Sequence, residues 1–267
     1  MRPARHWETQ NWADALPAVL GIKNSPVDLY AVARHRRIRT LGFRFMIPRG
    51  LMLPVEGGFD VYLRDQARRD TDISKEEPSG ALSVRQRFSL AHEIAHTRFY
   101  KLSDRVPSSE PPTANGLELE RICDQMAGCI LIPTHLLKRK ISDYGKEIDA
   151  NFVRLIAEDF QTSMDVALNR IRVVEAGSSF DRCILLARRV SGDAEIQTLH
   201  FGIGLWPLLP RPEKYTRVTD WLPDFPRNAL IRSEESGSFV TPKGRIITFK
   251  TTEVGTGDRI LLELRAG

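Results

Sequence analysis

The sequence lacks long apolar runs and contains few cysteines. No apolar segment approaches the roughly 20 residues that a membrane-spanning helix needs, and residues 1–8 lack the apolar stretch of a secretory signal peptide. The 3 cysteines, Cys123, Cys129 and Cys183, form no Cys-x-x-Cys pair, which argues against a disulfide framework and a cysteine-based zinc finger. We therefore expect a cytoplasmic protein without a membrane partner, whose cysteines are reduced core residues.

A concentrated charge of one sign is also missing. The 39 Lys and Arg residues and 34 Asp and Glu residues give a net charge of only +5 in a chain of 267, which is a weak signal for nucleic-acid binding. Residues 34–39 (Arg-His-Arg-Arg-Ile-Arg) form a basic cluster, but no aromatic residue that could stack on a base lies between the arginines. We interpret the cluster as cations at the end of a helix, where they suit the helix dipole; contact with nucleic acid is the alternative.

The most informative segment that is present is His92-Glu93-Ile94-Ala95-His96. On a helix the two histidines lie about 40° apart and one turn along the axis, so both imidazoles can reach one ion. Glu93 lies beside them and is placed to act as the general base on a water molecule. This pattern is typical of zinc hydrolases. Residues 83–86 (Ser-Val-Arg-Gln) predict, independently of the motif, a capping box at the start of its helix.

A second helical segment, which ends at Pro133, offers a third ligand. Glu120 and Asp124 are four residues apart and therefore share one face of this helix. We predict that Glu120 binds the metal and that Asp124 accepts the free N–H of a metal-bound histidine. Glu118 is the alternative ligand, and two acids that simply face solvent are the alternative interpretation of the pair.

Tyr100 is a candidate for the oxyanion-stabilising donor. It lies one turn beyond His96, so its hydroxyl could reach the tetrahedral intermediate of amide hydrolysis. A tyrosine at such a position is more often a core residue, and that remains the alternative.

The residues around the motif resemble the ImmA/IrrE family of zinc-dependent metallopeptidases. The resemblance lies in Arg-Gln-Arg-Phe-Ser-Leu-Ala-His-Glu-Ile-Ala-His at 85–96, Glu-Arg-Ile-Cys-Asp-Gln-Met-Ala at 120–127 and Leu-Ile-Pro at 131–133. Family members typically show Arg-Phe-Thr-Leu-Ala-His-Glu, then Glu-x-x-Ala/Cys-Asn/Asp-x-Phe-Ala-Ala, and then Leu-Met-Pro. Met126, Gly128 and Ile132 depart from this pattern, but none is a predicted ligand, so the departures concern packing.

The resemblance implies a gluzincin-like, HExxH-type site and a substrate class. In such a site His92, His96 and Glu120 bind Zn²⁺ and Glu93 acts as the base. Members of the family characteristically cleave helix-turn-helix transcriptional repressors, which releases genes of stress responses or mobile elements. Residues 152–173 resemble the helix-turn-helix-like region that follows the peptidase core. Because this region offers no persuasive DNA-reading face, we do not expect direct DNA binding.

The rest of the chain predicts an α+β fold. Apolar periodicity predicts a helical core with a small antiparallel sheet, built from strands near 43–47 and 58–64, and a helix pair at about 150–160 and 164–174. The family resemblance implies that the helical core is zincin-like. Further strand-like segments follow at 183–187, 196–202, 244–252 and 259–264. We divide the chain into four parts: an N-terminal extension (1–25), a zinc metallopeptidase domain (26–145), a helix-turn-helix-like segment (146–177) and a β-rich domain (178–267) that resembles the GAF-like sensory domain of some members.

Three functions follow as hypotheses. The first is a zinc endopeptidase that cleaves a protein substrate. The second is a non-catalytic regulatory or antitoxin-type binding protein that keeps the zinc fold. The third is a DNA-binding regulator that uses the basic cluster and the helices at 150–174.

Overall fold

The computed structural model describes residues 6–65, 71–72, 81–109, 116–145, 147–175, 182–201, 215–232, 234–241, 245–254 and 258–266. Two compact units account for the chain: Met1–Lys140 with Glu158–Ser163, and Ile141–Ala157 with Met164–Gly267. The predicted α+β class, with a small sheet and a β-rich C-terminal region, is confirmed. The four-part division stays a prediction, and its last boundary, at 177–178, lies outside the described residues.

The helices α1 to α5 lie between residues 6 and 144. Their bounds are α1 His6–Val19, α2 Leu29–His35, α3 Val84–His96, α4 Gly116–Leu131 and α5 Thr134–Tyr144. The capping box predicted at the start of α3 is confirmed, because the Ser83 hydroxyl accepts from the backbone of Gln86 and the Gln86 side chain accepts from the backbone of Ser83. α3 packs along α4, and α1 covers α4 as well.

A four-stranded sheet flanks α3 in the first unit. Its strands are β1 Ile38–Arg44, β2 Gly50–Val55, β3 Gly58–Arg64 and β4 Thr71–Asp72, in the order β2-β3-β1-β4. The two strands from which the antiparallel sheet was predicted, β1 and β3, run parallel to each other. The antiparallel pairs of this sheet are β2 with β3 and β1 with β4. A short β5–β6 pair, Tyr100–Lys101 with Ser108–Ser109, follows α3.

The strand predicted at 43–47 is displaced. β1 begins at Ile38 and ends at Arg44, so Phe45 and Ile47 lie in the connection to β2, 80% and 92% exposed. The start of β1 was not predicted because it overlaps the basic cluster, whose arginines do not show the apolar pattern of a strand. β2 was not predicted because Pro54 interrupts it; as an end strand of the sheet, β2 tolerates a residue without an N–H donor.

The second unit is built on a five-stranded antiparallel sheet. The strands are β7 Arg182–Val190, β8 Asp193–Phe201, β9 Glu234–Val240, β10 Ile246–Val254 and β11 Arg259–Ala266, in the order β8-β7-β11-β10-β9. The short helices α8 (Val218–Trp221) and α9 (Asn228–Ile231) share a buried apolar cluster with it. Helices α6 (Ala150–Asp159) and α7 (Met164–Val174) precede the sheet, and α7 packs against β8.

Among the described helices, none is both long and apolar enough to cross a bilayer.

Candidate metal centre

The candidate site lies where α3 and α4 face each other. α3 carries His92, Glu93 and His96, and α4 carries Glu120 and Asp124. The last turn of α3 is held from outside the helix: Arg36 donates from Nε to the Thr97 hydroxyl (3.0 Å) and from Nη2 to the Thr97 carbonyl (3.2 Å). The Thr97 hydroxyl in turn donates to the Ile94 carbonyl at 2.6 Å. The two histidines therefore project from a helix whose C-terminal end is fixed.

The three predicted ligands form one group. The Nε2 atoms of His92 and His96 are 3.0 Å apart, and Glu120 places Oε2 at 3.1 Å from His92 Nε2 and Oε1 at 3.5 Å from His96 Nε2. One candidate ligand atom from each residue lies within 4.8 Å of the others. The structure thus brings together the residues that the sequence singled out as ligands.

This spacing fits a zinc ion. Tetrahedral coordination with bonds of about 2.0–2.1 Å places neighbouring ligand atoms about 3.3–3.4 Å apart, and the observed separations of 3.0, 3.1 and 3.5 Å bracket that value. Two imidazoles and one carboxylate are also a donor set of catalytic zinc sites. The His-His-Glu group can therefore hold a metal ion.

Adjacent residues of α4 contact the outer nitrogens of both histidines. Asp124 Oδ1 lies 2.9 Å from His92 Nδ1, as the sequence predicted for an acceptor of its N–H. Cys123 Sγ lies 3.5 Å from His96 Nδ1. The sequence interpretation of Cys123 as a buried, reduced core residue missed this contact, although its place three residues after Glu120, on the same face of α4, was the available signal.

Glu93 is buried beside this group. Its side chain lines a cleft of about 500 Å³ together with the ligands and the segment that leads into β2; the lining residues are Pro48, Arg49, Gly50, Leu51, Met52, Phe88, Ser89, His92, Glu93, His96, Tyr100, Glu120 and Asp124. Burial raises the pKa of Glu93 to about 7, with Glu120 adding to the shift and His92 opposing it. A carboxyl group with a pKa near neutrality can both accept and return a proton.

The pKa values of the two histidines are shifted in opposite directions. Burial lowers the pKa of His92, but its hydrogen bond to Asp124 and the charges of Glu93, Asp124 and Glu120 outweigh burial and raise the pKa overall. The pKa of His96 is lowered by burial and by the neighbouring His92, against the opposing charges of Glu120 and Asp124. Because a metal binds neutral imidazole, the raised pKa of His92 makes metal binding to this residue more sensitive to acid.

The two remaining candidate site residues, Tyr100 and Glu118, lie in different surroundings. Tyr100 is half-buried and lines the same cleft, with its ring packed edge-on against Phe59 at 5.2 Å between centroids. Glu118 lies exposed in the first turn of α4 and does not belong to the metal-binding group found among the described residues. Its place supports Glu120 over Glu118 as the ligand.

Arginines of the basic cluster at residues 34–39 make hydrogen bonds within the first unit. Besides Arg36 on Thr97, Arg37 donates to the Leu102 carbonyl, and Arg39 donates to the Glu56 carbonyl at 2.7 Å. Arg36 also lies over the ring of Trp12, 4.9 Å from its centroid. These arginines bind the protein's own backbone, which supports a structural role for the cluster.

Comparison with known proteins agrees with these features. Residues 81–172 match the model of the family Peptidase_M78, the IrrE N-terminal-like domain. The resemblance to the ImmA/IrrE family is thus confirmed, and this part of the chain is a metallopeptidase-like domain. A solved structure named as a Mycobacterium tuberculosis transcriptional regulator is similar in fold, with a TM-score of 0.52 and 10% identity over 97% of this chain and 87% of that chain. A search of curated proteins found no match.

Substitution of the two acids on α4 tests the ligand assignment. Glu120→Ala is expected to lower zinc affinity by more than the roughly 10–100-fold that removal of an outer-shell partner costs, because a direct ligand is lost. Glu118→Ala, on the exposed face of the same helix, is the matched control and should bind zinc like the wild type. Competition with a chelator measures both affinities. Wild-type affinity in Glu120→Ala with loss in Glu118→Ala would reverse the assignment.

The buried Glu93 predicts a pH-dependent stability of the metal-free protein. Its pKa of about 7 in the native state lies above the ordinary value of 4.5, so the native state holds the proton more tightly and its stability falls as the pH rises from about 4.5 to 7. Glu93→Gln is therefore expected to raise the melting temperature at pH 8, by removing a cost of at most about 3 kcal/mol at roughly 1.4 kcal/mol per pKa unit, and to change little near pH 4.

Thermal melts with chelator present, across this pH range, measure the effect. Glu118→Gln, at an exposed position, serves as the control for the general effect of exchanging a glutamate for a glutamine. A difference between Glu93→Gln and wild type that is the same at pH 4 and pH 8 would contradict a raised pKa at Glu93.

Proposed function

Since residues 81–172 match the IrrE N-terminal-like peptidase family, we propose that this chain is a zinc-dependent endopeptidase that hydrolyses a helix-turn-helix transcriptional repressor. The observation that carries the proposal is the juxtaposition of the buried Glu93 with the His92, His96 and Glu120 group in one open cleft. A purely structural metal site has no need of a buried, unligated carboxylate.

Each residue of the cleft has its own role in the proposed hydrolysis. Bound zinc would polarise the scissile carbonyl and lower the pKa of a water molecule there. Glu93 takes the proton from the attacking water and returns it to the leaving amine. Beside a bound cation the pKa of Glu93 would fall below its metal-free value of about 7, and the carboxylate would then be ready to accept that proton at neutral pH. Asp124 holds the imidazole of His92 in one orientation, and Tyr100 is the proposed donor to the oxyanion.

The end strand β2 offers a place for the substrate backbone. β2 pairs only with β3 among the described strands, and its first residues, Gly50 to Met52, line the cleft. An extended peptide can add to such an edge through backbone hydrogen bonds. A scissile segment that is helical in the free repressor must therefore unwind locally before it is cut.

The substrate class rests on similarity. The family resemblance implies a repressor as substrate, and the name of the structural neighbour, a transcriptional regulator, places a chain of similar fold in the control of transcription. Cleavage of a repressor would release genes of a stress response or a mobile element. The second hypothesis, a non-catalytic binding protein, shares the fold and the metal but requires no base.

Cleavage of a repressor by the zinc-loaded protein distinguishes these hypotheses. The wild type is expected to cut a helix-turn-helix repressor encoded beside its gene, and Glu93→Gln should cut it about 10²–10⁴-fold more slowly, because the base is lost. Zinc content should be equal in the two proteins. Gel analysis and mass spectrometry of the fragments measure the rate and locate the scissile bond.

Two outcomes would contradict the peptidase. Equal cleavage by wild type and Glu93→Gln would point to a contaminating protease. Tight binding of the repressor without cleavage by either protein would favour the non-catalytic binding protein.

The arrangement of the helix pair argues against direct DNA binding. α7 buries Ala167, Leu168 and Ile171 and packs against β8, and Asp165 in its first turn pairs with Arg259 at 3.4 Å. A recognition helix needs an exposed N-terminal face for the major groove. We therefore expect duplex DNA to bind weakly, without the steep loss of affinity between about 50 and 200 mM salt that phosphate contacts produce. Fluorescence anisotropy measures this, and a steep salt dependence would revive the DNA-binding hypothesis.

A further inference from the structure

Gly50, the first residue of β2, lies directly against the carboxylate of Glu93. A Cβ atom added at Gly50 would stand 2.4 Å from Glu93 Oε1 and 3.1 Å from both Cδ and Cγ of the same side chain. Non-bonded carbon atoms are comfortable at about 3.5–4.0 Å, so these contacts leave no room for even a methyl group. The three nearest atoms all belong to Glu93.

Backbone conformation does not require glycine at this position. The described glycines with positive φ are Gly21, Gly57, Gly145 and Gly192, and Gly50 is not among them. Alanine could therefore adopt the backbone of Gly50 without strain. A side chain at this position would therefore displace the end of the Glu93 side chain.

Neither backbone is free to move apart. Gly50 pairs with the fully buried Leu63 in the β2–β3 ladder, and the carbonyl of the preceding Arg49 accepts from the backbone of Arg64 at 3.2 Å. On the other side, Ile94 and Ala95 next to Glu93 in α3 are fully buried. The end of the Glu93 side chain is the part that can yield.

We infer that Gly50 is a positioning residue for the proposed general base. The backbone at the start of β2 packs directly against the carboxylate of Glu93. This contact sets the distance of the carboxylate from the His92, His96 and Glu120 group. The contact itself is independent of function; its catalytic consequence rests on the proposed peptidase activity. By contrast, a Cβ at Gly58 would meet the backbone carbonyl of Arg37 at 1.9 Å, which is a constraint of the fold alone.

Kinetics of Gly50→Ala test the catalytic consequence. The substitution is expected to lower kcat at least tenfold, because a misplacement of about 1 Å can cost up to about 10²-fold, while KM stays within about twofold and zinc content is unchanged. Gly116→Ala is the matched control, since a Cβ there meets nothing within 4 Å. In a Glu93→Gln background Gly50→Ala should lower the residual rate no further. An unchanged kcat, or an equal loss in both backgrounds, would overturn the inference.

A thermal double-mutant cycle tests the contact without activity. In the metal-free protein Gly50→Ala is expected to lower the melting temperature when Glu93 is present and not to lower it in Glu93→Ala, where the obstructing atoms are gone. Equal effects in the two backgrounds would show that the residues are not coupled and would overturn the inference. If the cycle shows coupling but the wild type cuts no repressor, the proposed function fails while the contact stands.

Discussion

The packing of α3 along α4 is the constraint on which the site depends. The residues that each helix buries include Ala91, Ile94 and Ala95 on α3 and Met126 and Ala127 on α4, all fully buried. This apolar interface fixes the relative position of the two helices, because a close-packed core admits few alternatives. The polar groups at its margin, His92 and His96 facing Glu120 and Asp124, are thereby held at ligand distances before any ion arrives.

That preorganisation has an electrostatic cost in the metal-free protein. Two imidazole nitrogens face each other at 3.0 Å, and three carboxyl groups lie around them, one of which is Glu93 at 7% exposure. Burial and the charge of Glu120 raise the pKa of Glu93, burial and His92 lower that of His96, and the surrounding carboxylates raise that of His92. A divalent cation would relieve this electrostatic cost by attracting the carboxylates and separating the two nitrogens. The same burial that disfavours charge on Glu93 excludes water that would compete with a substrate for the proton.

The sequence predicts the helical half of the site because its signals are local. The capping box at Ser83 and the spacing of His92 and His96 involve residues within one or two turns, where the helical period relates spacing to direction. Glu120 and Asp124 were identified on the same basis. Their roles stay proposals, but their place on one face of α4 followed from the period alone.

The strand half of the site could not be predicted, because its contacts join distant segments. The parallel pairing of β1 with β3 leaves β2 at the end of the sheet, and nothing in the composition of β2 indicates that Gly50 meets Glu93 on α3. Arg36 is a similar case. It lies at the end of its own helix, α2, as the basic cluster predicted, but its hydrogen bonds to Thr97 at the end of α3 could not be predicted. Every residue has a backbone carbonyl that can accept from any donor. A hydrogen bond to such a carbonyl therefore cannot be predicted from the sequence of the segment that carries it.

These long-range contacts give the small sheet a role beyond packing. β2 offers an unpaired backbone edge among the described strands, and the first residue of that edge touches the side chain proposed to move the proton. A peptide that adds to β2 would be aligned by hydrogen bonds to the strand on which the base also rests. β2 would then set the position of both the substrate and the base. A shift of β2 would move the two together and change the distance between them little. Rigid support of this kind favours a reaction that depends on sub-ångström placement of a proton acceptor.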